Sequence, residues 1–117
     1  MRTSKKVLNP SLKDQIAKTL AQTLTDLKDF KETQIFLNDF LTEAELGTFA
    51  KRLAVAYWLK KGRSYTNIKT NLKVSSATIA GVASSMNAPG FQLALEKIEA
   101  EEWANQWSEK IKKFVGQ

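Results

Sequence analysis

The chain has 117 residues, 43% hydrophobic and 26% charged, with 18 basic against 12 acidic side chains and a formal charge of +6. That is the size of one domain, or of one protomer of a small dimer, and too apolar for disorder. The absence of both cysteine and histidine excludes a disulfide framework, the usual zinc sites, and Ser-His or Cys-His catalysis.

The elements follow in order. Residues 1–9 are a polar, basic lead-in, expected to fray; with no apolar run behind their charges they do not form a signal peptide. Asn9 or Ser11 can cap a first helix, with Pro10 in its first turn. Leu12, Ile16, Leu20, Leu24 and Leu27 then recur at helical spacing. A second short helix fits 33–40, where Ile35, Phe36, Leu37 and Phe40 give more apolar surface than one face needs. Thr42 and Glu45 form a capping box. It opens a helix bearing Leu46, Phe49, Leu53, Ala56, Tyr57 and Leu59, which stops at Gly62, a typical residue just past a helix end.

Ser64 opens a short helix containing Ile68 and Leu72. Lys73 and Val74 make a tight break, and Ser75 caps the next helix, with Ile79, Val82 and Met86 facing inward. Asn87, Ala88, Pro89 and Gly90 predict a strong stop. A last helix covers 91–115, with apolar positions at Phe91, Leu95, Ile98, Trp103, Trp107, Ile111 and Phe114. Glu99, Glu101 and Glu102 in its first half, and Lys110, Lys112 and Lys113 near its end, suit the helix dipole. Trp58, Trp103 and Trp107 read as core or interface residues. No segment approaches the roughly 18 apolar residues needed to span a bilayer, so a cytoplasmic protein is expected.

Charge is unevenly spread. Residues 46–95 contain no aspartate or glutamate but hold Lys51, Arg52, Lys60, Lys61, Arg63, Lys69 and Lys73. The flanks are near neutral, so the excess sits in one segment, as expected of a surface that meets a polyanion. That segment also holds a helix-turn-helix pattern: a helix over 66–72, a turn at Lys73 and Val74, and a recognition helix over 75–86. Ile68, Leu72, Val74 and Ile79 have the spacing of its internal core. Two positions depart from the common pattern. Lys69 stands where a small alanine usually lets the helices approach. Lys73 stands where glycine usually takes a positive φ, at a cost on the order of 1 kcal/mol.

The recognition helix has no Arg, Lys, Gln or Asn before Asn87, so the bidentate contacts that best distinguish bases are missing. Its base-facing set would be Ser75, Ser76, Ala77, Thr78, Ala80 and Gly81, giving weak direct readout assisted by DNA shape. Lys60, Lys61, Arg63, Lys69 and Lys73 would meet phosphates. If each protomer of a dimer neutralises about four phosphates, log K should fall with log salt with a slope of about −7.

Leu37-Asn38, Leu41-Thr42-Glu43, Arg52-Leu53, Leu59-Lys60-Lys61-Gly62, Tyr65-Thr66-Asn67-Ile68 and Ser75-Ser76-Ala77-Thr78-Ile79 together resemble the tryptophan-repressor family. The likeness is strongest to its uncharacterised bacterial branch of YerC/YecD-type proteins, and it covers 37–98. It implies an all-α, intertwined helical homodimer with a helix-turn-helix in each protomer. The whole chain is then one domain: residues 11–41 are dimerisation helices, 42–89 the core, and 90–117 a C-terminal helix longer than the family's tail. It also implies an effector pocket, to which Thr42, Arg52 and Ser85 correspond. Gly81 stands where the family's second pocket arginine would be, so tryptophan is not expected as effector and no cofactor is assigned.

The function expected is a DNA-binding transcriptional regulator acting as a repressor, with double-stranded DNA as partner. The competing reading is a protein-interaction module that keeps the fold and has lost base reading, which the uncharged recognition helix favours. An enzyme is not expected, because no nucleophile–base pair or glycine-rich phosphate loop is present.

Overall fold

The computed structural model describes the backbone of residues 6–115 and the side chains of residues 6–102 and 105. The described residues form six helices and no strand: α1 (Pro10–Asp26), α2 (Phe30–Phe40), α3 (Glu43–Lys60), α4 (Tyr65–Leu72), α5 (Ser76–Ser85) and α6 (Pro89–Val115). They divide into two compact units at Leu46 and Gly47.

In the N-terminal unit Asn9 caps α1, its side-chain oxygen accepting from the backbone N–H groups of Ser11 and Leu12, and Pro10 holds the first helical position. α2 begins three residues earlier than the apolar pattern alone predicts. Asp29 accepts from the Glu32 N–H at 2.9 Å, and Glu32 accepts in turn from the Lys28 N–H at 3.1 Å. These carboxylates satisfy donors that an uncapped end would leave open, so Phe30 is already helical. Phe36 and Phe40 stack one turn apart, ring centroids 4.9 Å from each other. Neither helix buries a residue. Leu12, Ile16, Leu20 and Leu24 are each 43–52% exposed, and Phe30 is 79% exposed.

The capping box forms as expected. The Glu45 N–H donates to the Thr42 hydroxyl at 3.1 Å and the Thr42 N–H donates to the Glu45 carboxylate at 2.9 Å. The Thr42 backbone and side-chain hydrogen bonds hold the Glu45 carboxyl below its ordinary range.

The C-terminal unit has a dry core. Val55 and Ala56 from α3, Ile68 from α4, Ile79 and Val82 from α5 and Leu95 from α6 are buried, and no polar residue is buried among the described side chains. Tyr57, Trp58, Leu59, Leu72, Val74, Met86 and Phe91 pack around them. Each buried Val, Leu or Ile contributes about 1.5–3 kcal/mol. The face of α3 differs from the one expected. Val55 is fully buried, whereas Phe49 and Leu53 are 47% and 37% exposed.

Local chemistry fixes each connection here. Gly62 has φ +83°, the Arg63 N–H donates to the Trp58 carbonyl at 3.1 Å, and the Gly62 N–H donates to Leu59 at 3.0 Å. This is the Schellman termination of α3. Ser64 caps α4 and Ser75 caps α5, each accepting from the backbone N–H three residues on. Between them Lys73 adopts φ 56°, ψ 51°, the left-handed conformation expected of it. The stop read at 87–90 is shorter than expected. Pro89 opens α6, where its fixed φ suits a first turn and its missing N–H costs nothing.

α6 has no acidic residue in its first turn, so the dipole role assigned to its glutamates fails: the effect fades within one turn. Trp103, Trp107, Ile111, Phe114 and the lysines at 110, 112 and 113 lie outside the described side chains.

Candidate functional site

The first two turns of α5 form the exposed end of the C-terminal unit's small core. Ile79 and Val82 are buried, while Ser75, Ser76, Ala77, Thr78, Ala80 and Gly81 are all exposed. The hydroxyls are not equally available. Ser75 Oγ accepts from the Thr78 N–H and lies 3.0 Å from Thr78 Oγ1, so two of the three hydroxyls are already engaged with each other. A Cβ built at Gly81 meets nothing within 4 Å.

The five cations expected to meet phosphates are all exposed, but in two different settings. Lys69 and Lys73 stand on α4 and in its turn. Arg63 is held: its guanidinium lies 4.1 Å from the Trp58 ring centroid, and its Nη1 reaches Asn67 Oδ1 at 3.5 Å. The Schellman turn causes this, because it folds the second residue past the helix back over the last turn, where a side-chain contact usually forms. Here the contact is a cation over an indole. Trp58 is thus part of the site as Arg63's platform. Sequence reasoning placed it in the core or an interface, although the Trp58, Gly62, Arg63 spacing carried the signal.

Lys60 and Lys61 instead pair with α6. Lys60 Nζ lies 3.1 Å from Glu99, and Lys61 Nζ lies 3.2 Å from Glu102. The Tyr57 hydroxyl donates to the same Glu102 carboxylate. The Tyr57 and Lys61 hydrogen bonds pull the Glu102 carboxyl below its usual range; the Glu102 contact pushes the Tyr57 hydroxyl and the Lys61 ammonium up. The segment that looked free of acid in sequence therefore receives acid from its flank.

Of the three residues matched to an effector pocket, Arg52 and Ser85 line one cleft of about 360 Å³ with Thr78, Gly81, Val82 and Phe91. A second cleft of about 350 Å³, almost wholly apolar, lies between Phe49, Leu53, Ala88, Phe91 and Ala94 and shares Arg52. The Arg52 guanidinium sits 5.6 Å from the Phe49 ring centroid. Thr42 belongs to the N-terminal unit, and its hydroxyl serves the α3 cap. Among the described residues no cluster of three or more acidic side chains could hold a metal ion, and no helix is long and apolar enough to cross a membrane.

The described residues thus form helices only, with a left-handed turn between two short capped helices and cations beside them. The Trp repressor protein family matches residues 15–99, and the chain belongs to that family. It is also 33% identical over 85 residues to the uncharacterised protein YerC of Bacillus subtilis (strain 168), a match covering 71% of this chain and 82% of that protein. No solved structure matches. The family match reaches upstream of the 37–98 stretch, through α2 and most of α1.

Proposed function

We propose that this protein is a dimeric helix-turn-helix regulator of transcription that binds double-stranded DNA and acts as a cytoplasmic repressor. α4 and α5 form the motif. The observation that carries the reading is the α4–α5 junction: Lys73 holds the strained left-handed turn, Ile68 and Ile79 bury the inner faces, and the small residues of α5 remain outside. A lysine in that conformation costs on the order of 1 kcal/mol, and a phosphate contact at that point gives the charge a use.

Affinity is dominated by phosphates, through Lys69, Lys73 and the stacked Arg63, with Lys60 and Lys61 available once their glutamates release them. Direct base reading is weak. Ser76 offers a hydroxyl, Ala77 and Ala80 offer methyl groups to thymine, and Gly81 allows close approach. The second copy covers the apolar stripe of α1 and the exposed aromatics of α2, whose burial the single chain does not supply. Arg52 and Ser85 mark the effector cleft; without an arginine at Gly81 an indole has no second guanidinium to stack on.

Fluorescence anisotropy against a random duplex and a genomic pool, across a salt series, tests the reading. The expected result is tight binding to a genomic subset, a salt slope near −7 and a preference that survives high salt. Weak, sequence-blind binding that vanishes near physiological salt would overturn it in favour of a protein-interaction module.

A further inference from the structure

The α3–α6 contact is a ladder of three groups against two. Tyr57 and Lys60 lie in the last turn of α3 and Lys61 just past its end, and Glu99 and Glu102 are three apart on one face of α6. Each lysine has its own carboxylate, at 3.1 and 3.2 Å, and the Tyr57 hydroxyl anchors Glu102 from the half-buried side. Both ion pairs stay partly open to solvent, with side-chain exposures of 34–45%. Pairs this exposed are weak and exchange readily.

We propose that Glu99 and Glu102 are built-in competitors for DNA phosphate: they occupy Lys60 and Lys61 until a polyanion displaces them. The inference rests on the reading that this basic surface meets DNA. A phosphate oxygen replaces a carboxylate oxygen at each ammonium, so the contact exchanges like for like. What favours the exchange is release of counterions from the nucleic acid. The ladder thus lowers affinity for every sequence alike.

The test uses four full-length proteins: wild type, E99Q/E102Q, K60Q/K61Q and the combination of all four changes. Each is titrated with one duplex across a salt series and eluted from immobilised heparin. E99Q alone is added as a milder variant, since Glu99 pairs only with Lys60; circular dichroism checks that helicity is kept. E99Q/E102Q should bind about tenfold tighter, with the salt slope little changed, because the same phosphates are met once the glutamates are displaced. It should also leave heparin later. None of these changes should occur when Lys60 and Lys61 are already glutamine. An equal gain in the lysine-free background would mean a general charge effect and would overturn the proposal, as would no gain at all. If no protein binds the duplex, the DNA reading fails, and the heparin order alone decides whether the glutamates mask the lysines.

Discussion

The two units of this chain solve the same problem in opposite ways. The C-terminal unit buries Val55, Ala56, Ile68, Ile79, Val82 and Leu95 within a single copy. The N-terminal unit carries a regular apolar stripe and buries nothing. A stripe at perfect helical spacing is as costly to leave wet as a core residue is useful to bury. The contrast therefore separates a half with its own core from one whose stripe, on the proposed reading, a second copy covers. Stability of the first should be independent of protein concentration, and stability of the second should not.

The largest expected effect is in the self-sufficient half. Ile68→Ala should destabilise by about 2–5 kcal/mol in urea unfolding, by the same amount at every protein concentration. Leu20→Ala sharpens the comparison. It should cost about 2 kcal/mol or more when the chain is concentrated, fading as dilution separates the copies. A cost near zero throughout would show that the stripe stays uncovered. Leu20→Asp should convert the assembly to monomer in sedimentation equilibrium and leave the α4–α5 unit folded.

Lys73→Gly should act in two directions. Relief of the left-handed lysine should stabilise the chain by about 0.5–1 kcal/mol, while loss of the cation should weaken duplex binding and flatten the salt slope by about 0.9 per protomer. If stability and affinity fall together, the turn's role is purely structural. The smallest effect is acid sensitivity at the α3 cap. Glu45 is held below its ordinary range by Thr42. Its contribution is complete above the ordinary carboxylate value and is lost as pH falls through the lowered one. Thermal melts of wild type and Glu45→Gln should therefore differ at neutral pH and converge in acid.

Much of this was legible in the residues because the deciding interactions are local. Asn9, Thr42, Ser64 and Ser75 are caps whose partners lie two or three positions away, and Gly62 and Lys73 declare their own backbone geometry. Where competing signals met, reading was weaker. Pro89 was taken for a terminator, although the same ring suits the first turn of a helix. Phe49 and Leu53 were taken for inward positions because they are large, while the smaller Val55 occupies the core. The site was legible as a list of cations but not as a circuit. Nothing in the sequence pairs Lys60 with Glu99 or Lys61 with Glu102, since the pairing depends on how α6 packs against α3 some forty residues later. For the same reason two of the five assigned phosphate contacts turn out to be occupied.

A Cβ at Gly81 would meet nothing within 4 Å, and the residue lines the same cleft as Arg52 and Ser85. A small side chain therefore fits there without a clash at its first carbon, and the residue at this position shapes the cleft beside Arg52. In the proposed effector cleft, depth and charge can vary at position 81 while Val82 beside it stays in the core.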